Sequence, residues 1–174
     1  MDDMLVIGLA TALDVRALPA IELAAARLLA GHAPESVLSE TTSHSDLHAA
    51  RADGLLWVAR LGRAPVGFAH VTRREPGVAH LEELDVHPAH GRRGIGRALV
   101  ERVCTWAACQ RLDAVTLTTF RDVLFNMPFY RTLGFLEASD DALTTTLAAI
   151  LDAEAAHGLD RARRVAMRRA IAPG

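Results

Sequence analysis

The sequence predicts a mixed α/β fold in which a mostly antiparallel sheet of about six or seven strands is flanked by helices. The first supporting observation is a run of three strand-like segments, 55–61, 65–73 and 78–86, separated only by Gly62-Arg63 and Pro76-Gly77. Such short, glycine-containing separations are typical of an antiparallel meander. The second is a change from strand-like to helical spacing directly after this meander.

The segments before the meander predict one strand and two helices. A short apolar run over 4–9 predicts the first strand. A helix is expected to begin near Pro19, with Asp14 as a candidate cap, and to end at Gly31. Ser45 is a candidate cap for a second, short helix that leads to the meander.

The segments after the meander predict a parallel crossover followed by two more helices and a last strand. Ile95, Leu99, Val103 and Trp106 lie on one face of an amphipathic helix. A β-branched strand over 115–119 follows, and strand, helix and strand in this order indicate parallel pairing. The remaining elements are expected as a helix over 125–133, a helix over 143–157 and a strand over 163–171.

Composition and charge exclude several classes of function. The 174 residues fit one domain over 1–174, and 51% of them are hydrophobic, as in ordinary globular proteins. All 19 basic residues are arginine, so the chain can form neither a lysine Schiff base nor a P-loop with its invariant lysine. The net charge of -2 gives no electrostatic drive for nucleic-acid binding, and we expect no such partner.

Compartment and cysteine usage point to a cytoplasmic protein that does not bind membranes. Asp2 and Asp3 stand where a secretory signal peptide carries positive charge, and no apolar run approaches the roughly 18 residues of a membrane span. Cys104 and Cys109 are five residues apart in a predicted helix, where they point in different directions. We therefore expect two free thiols.

A glycine loop, residues 91–96, joins the last strand of the meander to the amphipathic helix. Glycine allows a phosphate to approach the unpaired amides at a helix N-terminus, and Arg92, Arg93 and Arg97 add positive charge there. The pattern is not the dinucleotide signature GxGxxG, because Leu99 takes the place of the third glycine. The loop therefore favours binding of a pyrophosphate outside the dinucleotide-binding class.

Two segments are informative together. The first is Gly91-x-x-Gly94-x-Gly96, and the second is Asn126-x-Pro-Phe-Tyr130 followed by Gly134-Phe135. They resemble the GNAT superfamily of N-acetyltransferases, in particular a bacterial branch of it, whose first motif is Gln/Arg-x-x-Gly-x-Gly/Ala; here Gly91 replaces the usual Gln or Arg. The resemblance extends over roughly 4–171 and implies a GNAT-like sheet with acetyl-CoA as co-substrate.

The resemblance also implies which residues bind acetyl-CoA. Pantetheine would bond to the main chain of the strand segment 84–86 as an added strand, and the pyrophosphate would lie on the glycine loop. Asn126 is expected to bond to the pantetheine or to cap its helix, and Phe129 to pack on the cofactor. The full set of expected cofactor-binding residues is Leu84, Asp85, Val86, Arg92, Arg93, Gly94, Ile95, Gly96, Arg97, Asn126 and Phe129.

Transfer to an amine requires a base for the ammonium and an acid for the departing thiolate. The resemblance implies Glu82 as the base, with Glu83 as the alternative because a bulge would exchange the two faces of the strand. Tyr130, the only tyrosine, would protonate the sulfur. Direct transfer in a ternary complex requires no metal, and the cluster of His44, Asp46 and His48 is interpreted as a polar loop.

The expected acceptor is a primary amine of a small molecule or of a peptide. The alternative is a non-catalytic acyl-CoA-binding sensor module that keeps the glycine loop but has lost the acceptor site. The segments expected to line the acceptor site, residues 31–54 and those after Phe135, carry no recognisable pattern, so the acceptor itself stays open. Relatives are often dimers, which leaves a homodimer as an option.

Overall fold

The computed structural model describes residues 4–139 and 143–172. Its strands are β1 (Leu5–Leu9), β2 (Leu56–Leu61), β3 (Ala64–Glu75), β4 (Val78–Val86), β5 (Ala114–Phe120), β6 (Leu136–Glu137) and β7 (Arg164–Ala170). They form a seven-stranded sheet in the order β1-β2-β3-β4-β5-β7-β6. The pairs β1–β2, β2–β3, β5–β7 and β6–β7 are antiparallel and the pair β4–β5 is parallel, so the predicted mixed, mostly antiparallel sheet and its parallel crossover are confirmed.

Seven helices flank these strands in the described residues, together with short 3-10 turns. They are α1 (Ala12–Val15), α2 (Leu18–Ala26), α3 (Glu35–Leu38), α4 (His44–Ala52), α5 (Ile95–Cys109), α6 (Met127–Arg131) and α7 (Thr145–Ala156). The chain forms two compact units, one of Met1–Thr72 with Glu82–Val103 and one of Arg73–Leu81 with Cys104–Gly174.

The core of the first unit lies between its sheet and the helices α1, α2 and α4. Leu56 and Val58 of β2 and Phe68 of β3 point to the same side, because Val58 is directly opposite Phe68 in the register. All three are fully buried against apolar residues of those helices. The helical members of this cluster are Val15, Leu18, Ile21, Leu47 and Ala50.

The structure adds a short helix, α1, before the predicted N-terminal helix, and the predicted helix itself, α2, ends at Ala26 and not at Gly31. Proline inside a helix clashes with the carbonyl four residues earlier, so a helix that contains Pro19 cannot continue from Val15. The new helix α2 instead starts with Pro19 in its first turn. Asp14 is not the cap that we expected; Thr11 is the cap, and Asp14 completes a capping box with it.

Asp14 also joins α1 to the sheet through a buried ion pair. Arg60 of β2 donates two hydrogen bonds to this carboxylate, one from Nε to Asp14 Oδ1 over 3.0 Å and one from Nη2 to Asp14 Oδ2. Burial raises the pKa of Asp14, but the hydrogen bonds from Arg60 and Thr11 outweigh it and hold the pKa below its usual value. The carboxylate is therefore ionised in the folded protein and contributes to its stability.

The second unit is organised around the long pairing of β5 with β7, from Ala114 with Ala170 to Phe120 with Arg164. Helix α7 packs on this pair through Leu147 and Leu151, which contact Ala166. Pairing of β4 with β5 covers three residue pairs and ends at His80 with Thr116. The side chains of this last pair form a buried hydrogen bond of 3.0 Å.

Two local predictions differ from the structure in their detail, and a third is confirmed. The cap of α4 is Ser43 and not Ser45, whose hydroxyl bonds to that of Ser43. Helix α6 is shorter than the predicted 125–133, because Pro128 can only stand in its first turn and Gly134, at φ 81°, follows its end. Cys104 and Cys109 are free thiols, as predicted.

Candidate functional site

The glycine loop turns the chain from β4 into α5 through two residues in the left-handed region. Gly94 has φ 78° and Arg92 has φ 61°, a backbone conformation that is unusual for a residue with a side chain. No heavy atom of the described chain lies within 4 Å of the point that a Cβ at Gly94 would occupy. The loop therefore leaves open space directly in front of the helix N-terminus.

Helix α5 presents free backbone donors to this space. Its first intrahelical bond runs from the amide of Ala98 to the carbonyl of Gly94 over 3.0 Å. The amides of Ile95 and Gly96 come before that bond, in the turn where a helix offers them no acceptor. Donors of this kind and the helix dipole together suit a phosphate or another anion.

Positive charge surrounds these amides. Arg92, Arg93 and Arg97 are exposed at the start of the helix, whereas Ile95 is buried and anchors it. Gly91, which replaces the family's Gln or Arg, has an ordinary φ of -59°. A Cβ there would lie 3.2 Å from the carbonyl oxygen of Pro88, so the usual side chain would require a small shift of that carbonyl. The residues present fit a pyrophosphate, with Arg92, Arg93 and Arg97 as side-chain cations beside the loop glycines in the sequence.

The C-terminal half of β4 is held closely against β3. The amide of His87 donates to the carbonyl of Val66 over 2.9 Å. A Cβ added to Gly67 would lie 2.7 Å from the carbonyl oxygen of Asp85, so only glycine allows this approach. Because main-chain groups alternate along a strand, those of Leu84 and Val86 point away from β3.

Glu82 is half-buried and is oriented by a neighbouring strand. Its Oε1 accepts a hydrogen bond of 2.7 Å from the hydroxyl of Thr72 on β3. Thr72 follows Phe68 by four residues and therefore lies on the same face of the strand, the face that α1, α2 and α4 cover. Glu83 is also half-buried, so solvent exposure does not decide between the two carboxylates.

Two further carboxyl groups influence each other electrostatically, which was not expected from the sequence. They are Asp85 of β4 and Glu22 of α2, and the charge of Glu22 disfavours ionisation of Asp85. Oδ2 of Asp85 is buried and has no hydrogen-bond partner in the described residues. Glu22 is only 8% exposed, and its carboxylate accepts bonds of 2.9 and 3.0 Å from the amide of Thr42 and one of 3.1 Å from its hydroxyl.

The pKa values of Asp85 and Glu22 are both raised. Burial, followed by repulsion from Glu22, raises the pKa of Asp85 well above its usual range. Burial also raises the pKa of Glu22, although the hydrogen bonds from Thr42 partly oppose it.

The second unit carries the other expected site residues on and before α6. Tyr130 is half-buried, with its ring centroid 5.1 Å from that of Phe129 and 5.7 Å from that of Phe135, both in edge-to-face geometry. Asn126 precedes α6, but its side chain makes no capping hydrogen bond. The capping role considered for Asn126 is therefore wrong, and its half-buried side chain is left for another role.

Two kinds of site are not found in the described chain. The part over 4–139 and 143–172 contains no group of three or more His, Cys, Asp or Glu side chains arranged to hold a metal ion. None of the helices described there has both the length and the apolar composition to cross a membrane.

The sequence matches the family model described as the acetyltransferase (GNAT) family over residues 24–135. The chain belongs to the GNAT family of acetyltransferases. The matched region includes Glu22's partner Thr42, the whole of β4, the glycine loop and Tyr130. The co-substrate of this family is acetyl-CoA, which agrees with the pyrophosphate-binding features at the start of α5.

Solved structures with the same fold extend the similarity to nearly the whole chain. The PaiA N-acetyltransferase of Thermoplasma acidophilum, solved in complex with coenzyme A, is 16% identical, with a TM-score of 0.75 and coverage of 96% of this chain and 99% of that one. The ribosomal-protein-S18-alanine N-acetyltransferase of Escherichia coli is 19% identical, with a TM-score of 0.68 and coverage of 98% and 96%. At these identities the likeness shows the fold, and the acceptor has to be inferred from this chain's own residues.

Proposed function

We propose that this GNAT protein is an N-acetyltransferase that moves the acetyl group of acetyl-CoA directly to a primary amine of a small molecule or peptide. The observation that carries the proposal is the start of α5, where the unpaired amides of Ile95 and Gly96, open space at Gly94 and exposed arginines coincide. The family match over 24–135 supports the same reaction class.

Acetyl-CoA supplies the thioester, and the chain supplies groups that bind it. Arg92, Arg93 and the amides of Ile95, Gly96 and Arg97 would bind the pyrophosphate. The outward main-chain groups of Leu84 and Val86 would pair with pantetheine, while Asp85 contributes to the strand that presents them. Asn126 and Phe129 are the other residues for which the family resemblance implies contacts with acetyl-CoA.

Proton transfer would be divided between two side chains. An alkylammonium has a pKa of about 10 and must lose a proton before its nitrogen can attack the thioester carbonyl. Glu82 would accept that proton, directly or through water, with Glu83 as the alternative, and the bond from Thr72 fixes the direction of the Glu82 carboxylate. The hydroxyl of Tyr130 would donate a proton to the departing thiolate.

Initial-rate kinetics tests direct transfer. Release of the coenzyme A thiol would be measured with several primary amines while both substrate concentrations are varied. Intersecting double-reciprocal lines are expected, and parallel lines would indicate a covalent acyl-enzyme instead. Cys109 is the exposed thiol, so Cys109→Ala serves as the control and should leave the rates unchanged. Gly96→Glu should abolish both binding and turnover.

The non-catalytic alternative makes a different prediction in the same experiment. An acyl-CoA sensor would bind acetyl-CoA with the affinity of an enzyme but would release no thiol with any amine. Binding without amine-dependent thiol release across a broad amine panel would favour the sensor.

A further inference from the structure

We infer that the strand β1 is an interaction surface for a second copy of this chain, with the two β1 strands paired antiparallel so that the two sheets become continuous. The inference concerns the first unit alone and does not rest on the proposed acetyltransferase function. It rests on the open edge of β1, on the apolar and uncharged character of that edge, and on the symmetry of the pairing.

The first observation is that β1 is an edge strand whose outer main-chain groups face no other strand. It stands at the end of the sheet order and pairs with β2 alone among the described strands. The amide of Ala10 donates to the carbonyl of Leu56 over 2.9 Å, and these two residues are opposite each other when the β1–β2 register is continued by one position. Main-chain groups alternate in direction along an antiparallel strand. Those of Leu5, Ile7 and Leu9 therefore point to the open edge.

The second observation is that this edge lacks the features that usually prevent edge strands from pairing. Natural proteins protect such edges with charged side chains, prolines or bulges. Residues 5–9 contain neither a charge nor a proline, and their register with β2 is unbroken. Exposed apolar side chains are also concentrated at this strand and beside it, and they are Met4, Val6, Leu9 and Leu13. A long apolar edge of this kind indicates that another strand covers it.

The third observation is that β1 is complementary to itself, which favours an identical strand as the occupant. A two-fold axis at Ile7, the middle residue, places Ile7 opposite itself and Leu5 opposite Leu9 of the second copy. Positions 5, 7 and 9 are then matched only with one another, so every outward main-chain group meets an outward group. Symmetric pairing is opposed when like charges face each other, and β1 has no charged residue. The side chains at these three positions share one face and would form one apolar row across both copies.

The test measures the oligomeric state of the full chain by analytical ultracentrifugation, and we expect a wild-type dimer with a dissociation constant of about 10 μM or lower. Ile7→Lys and Ile7→Glu each place like charges opposite each other at the axis and should each weaken the dimer at least about tenfold. An equal mixture of these two variants should restore a dimer, because lysine then faces glutamate. Leu28→Lys is the control at an apolar side chain that is 51% exposed outside β1, and it should keep the wild-type dimer.

A further variant, Leu5→Pro, removes an outward amide without adding charge, and an edge strand tolerates proline where the N–H faces solvent. It should also weaken the dimer, and it decides the question by itself if circular dichroism shows that a charge at position 7 prevents folding. A wild type that stays monomeric at about 100 μM would overturn the inference. So would a dimer that persists in folded Ile7→Lys and Leu5→Pro, or a mixture of the folded Ile7→Lys and Ile7→Glu variants that stays monomeric.

Discussion

Replacing Gly67 by alanine should disturb the strand segment to which acetyl-CoA is proposed to bind. The added Cβ would lie 2.7 Å from the carbonyl oxygen of Asp85 and 3.2 and 3.3 Å from two atoms of Val86. The nearest of these is backbone, which cannot turn aside as a flexible side chain can. The β4 backbone would have to move by about 0.7 Å to restore an ordinary contact.

The expected cost follows from other cases of overpacking. Forcing an extra methyl group into a packed site typically costs about 1–3 kcal/mol. For a domain of this size that corresponds to a fall in Tm of roughly 2–12 °C. Since Leu84 and Val86 belong to the segment that must shift, we also expect acetyl-CoA to bind more weakly than to the wild type.

The assays are urea unfolding and calorimetric titration with acetyl-CoA, each with Gly8→Ala as the matched control. Gly8 also lies in a strand, but a Cβ there would meet only a side-chain nitrogen of Arg60 at 3.6 Å, an ordinary contact. Gly8→Ala should change stability by less than about 1 kcal/mol and should not alter binding. Wild-type stability and wild-type affinity in Gly67→Ala would refute the argument that β3 and β4 are held together by this glycine.

Three further predictions concern single side chains. Tyr130→Phe should lower kcat by about two orders of magnitude, because it removes the hydroxyl proposed to donate a proton. Acetyl-CoA affinity should stay within about twofold of the wild type, because phenylalanine keeps the ring contacts with Phe129 and Phe135. An unchanged kcat would remove Tyr130 from proton transfer. Asp85→Asn should make the protein without ligand more stable at neutral pH, because the raised pKa of Asp85 means that wild-type stability falls as pH rises from about 4 through that pKa. In urea unfolding, the gain in stability of Asp85→Asn over the wild type should disappear below about pH 4. Asp53→Asn, at an exposed carboxylate, is the control. Asp14→Asn should lower the free energy of unfolding by about 3 kcal/mol or more at neutral pH, because it breaks the buried ion pair with Arg60. Because the pKa of Asp14 is lowered, this difference from the wild type should shrink as pH falls through that pKa. An equal difference at pH 2 and pH 7 would contradict the ion-pair explanation.

The parts of the fold that sequence could predict are those with a strong local pattern. The meander of β2, β3 and β4 is bounded by glycine-containing turns, and β4 occupies the predicted 78–86. Helix α5 keeps one apolar face over its length, and Ile95, Leu99 and Val103 on that face are buried as expected. Local periodicity is sufficient for such elements because their own residues determine which face is buried.

The parts that sequence could not predict depend on contacts between distant residues. Glu22 and Asp85 are far apart along the chain, and neither position carries a local signal that the charge of Glu22 helps to raise the pKa of Asp85. The need for glycine at 67 comes from the approach of the Asp85 carbonyl, which is a property of strand pairing. The division between α1 and α2 was within reach of local reasoning, because Pro19 and the Thr11–Asp14 capping box both stand in the sequence.

The central claim is that acetyl-CoA binds at the N-terminus of α5, and a calorimetric titration with acetyl-CoA tests it most directly. The variant Gly94→Glu places a carboxylate in front of the free amides, and Gly31→Glu is its matched control because Gly31 has a similar φ of 82° and equally open space around its Cβ position. We predict micromolar binding to the wild type and to Gly31→Glu, and a loss of at least about a hundredfold in Gly94→Glu. Equal affinity in Gly94→Glu and Gly31→Glu, or no binding to the wild type at millimolar acetyl-CoA, would contradict the claim.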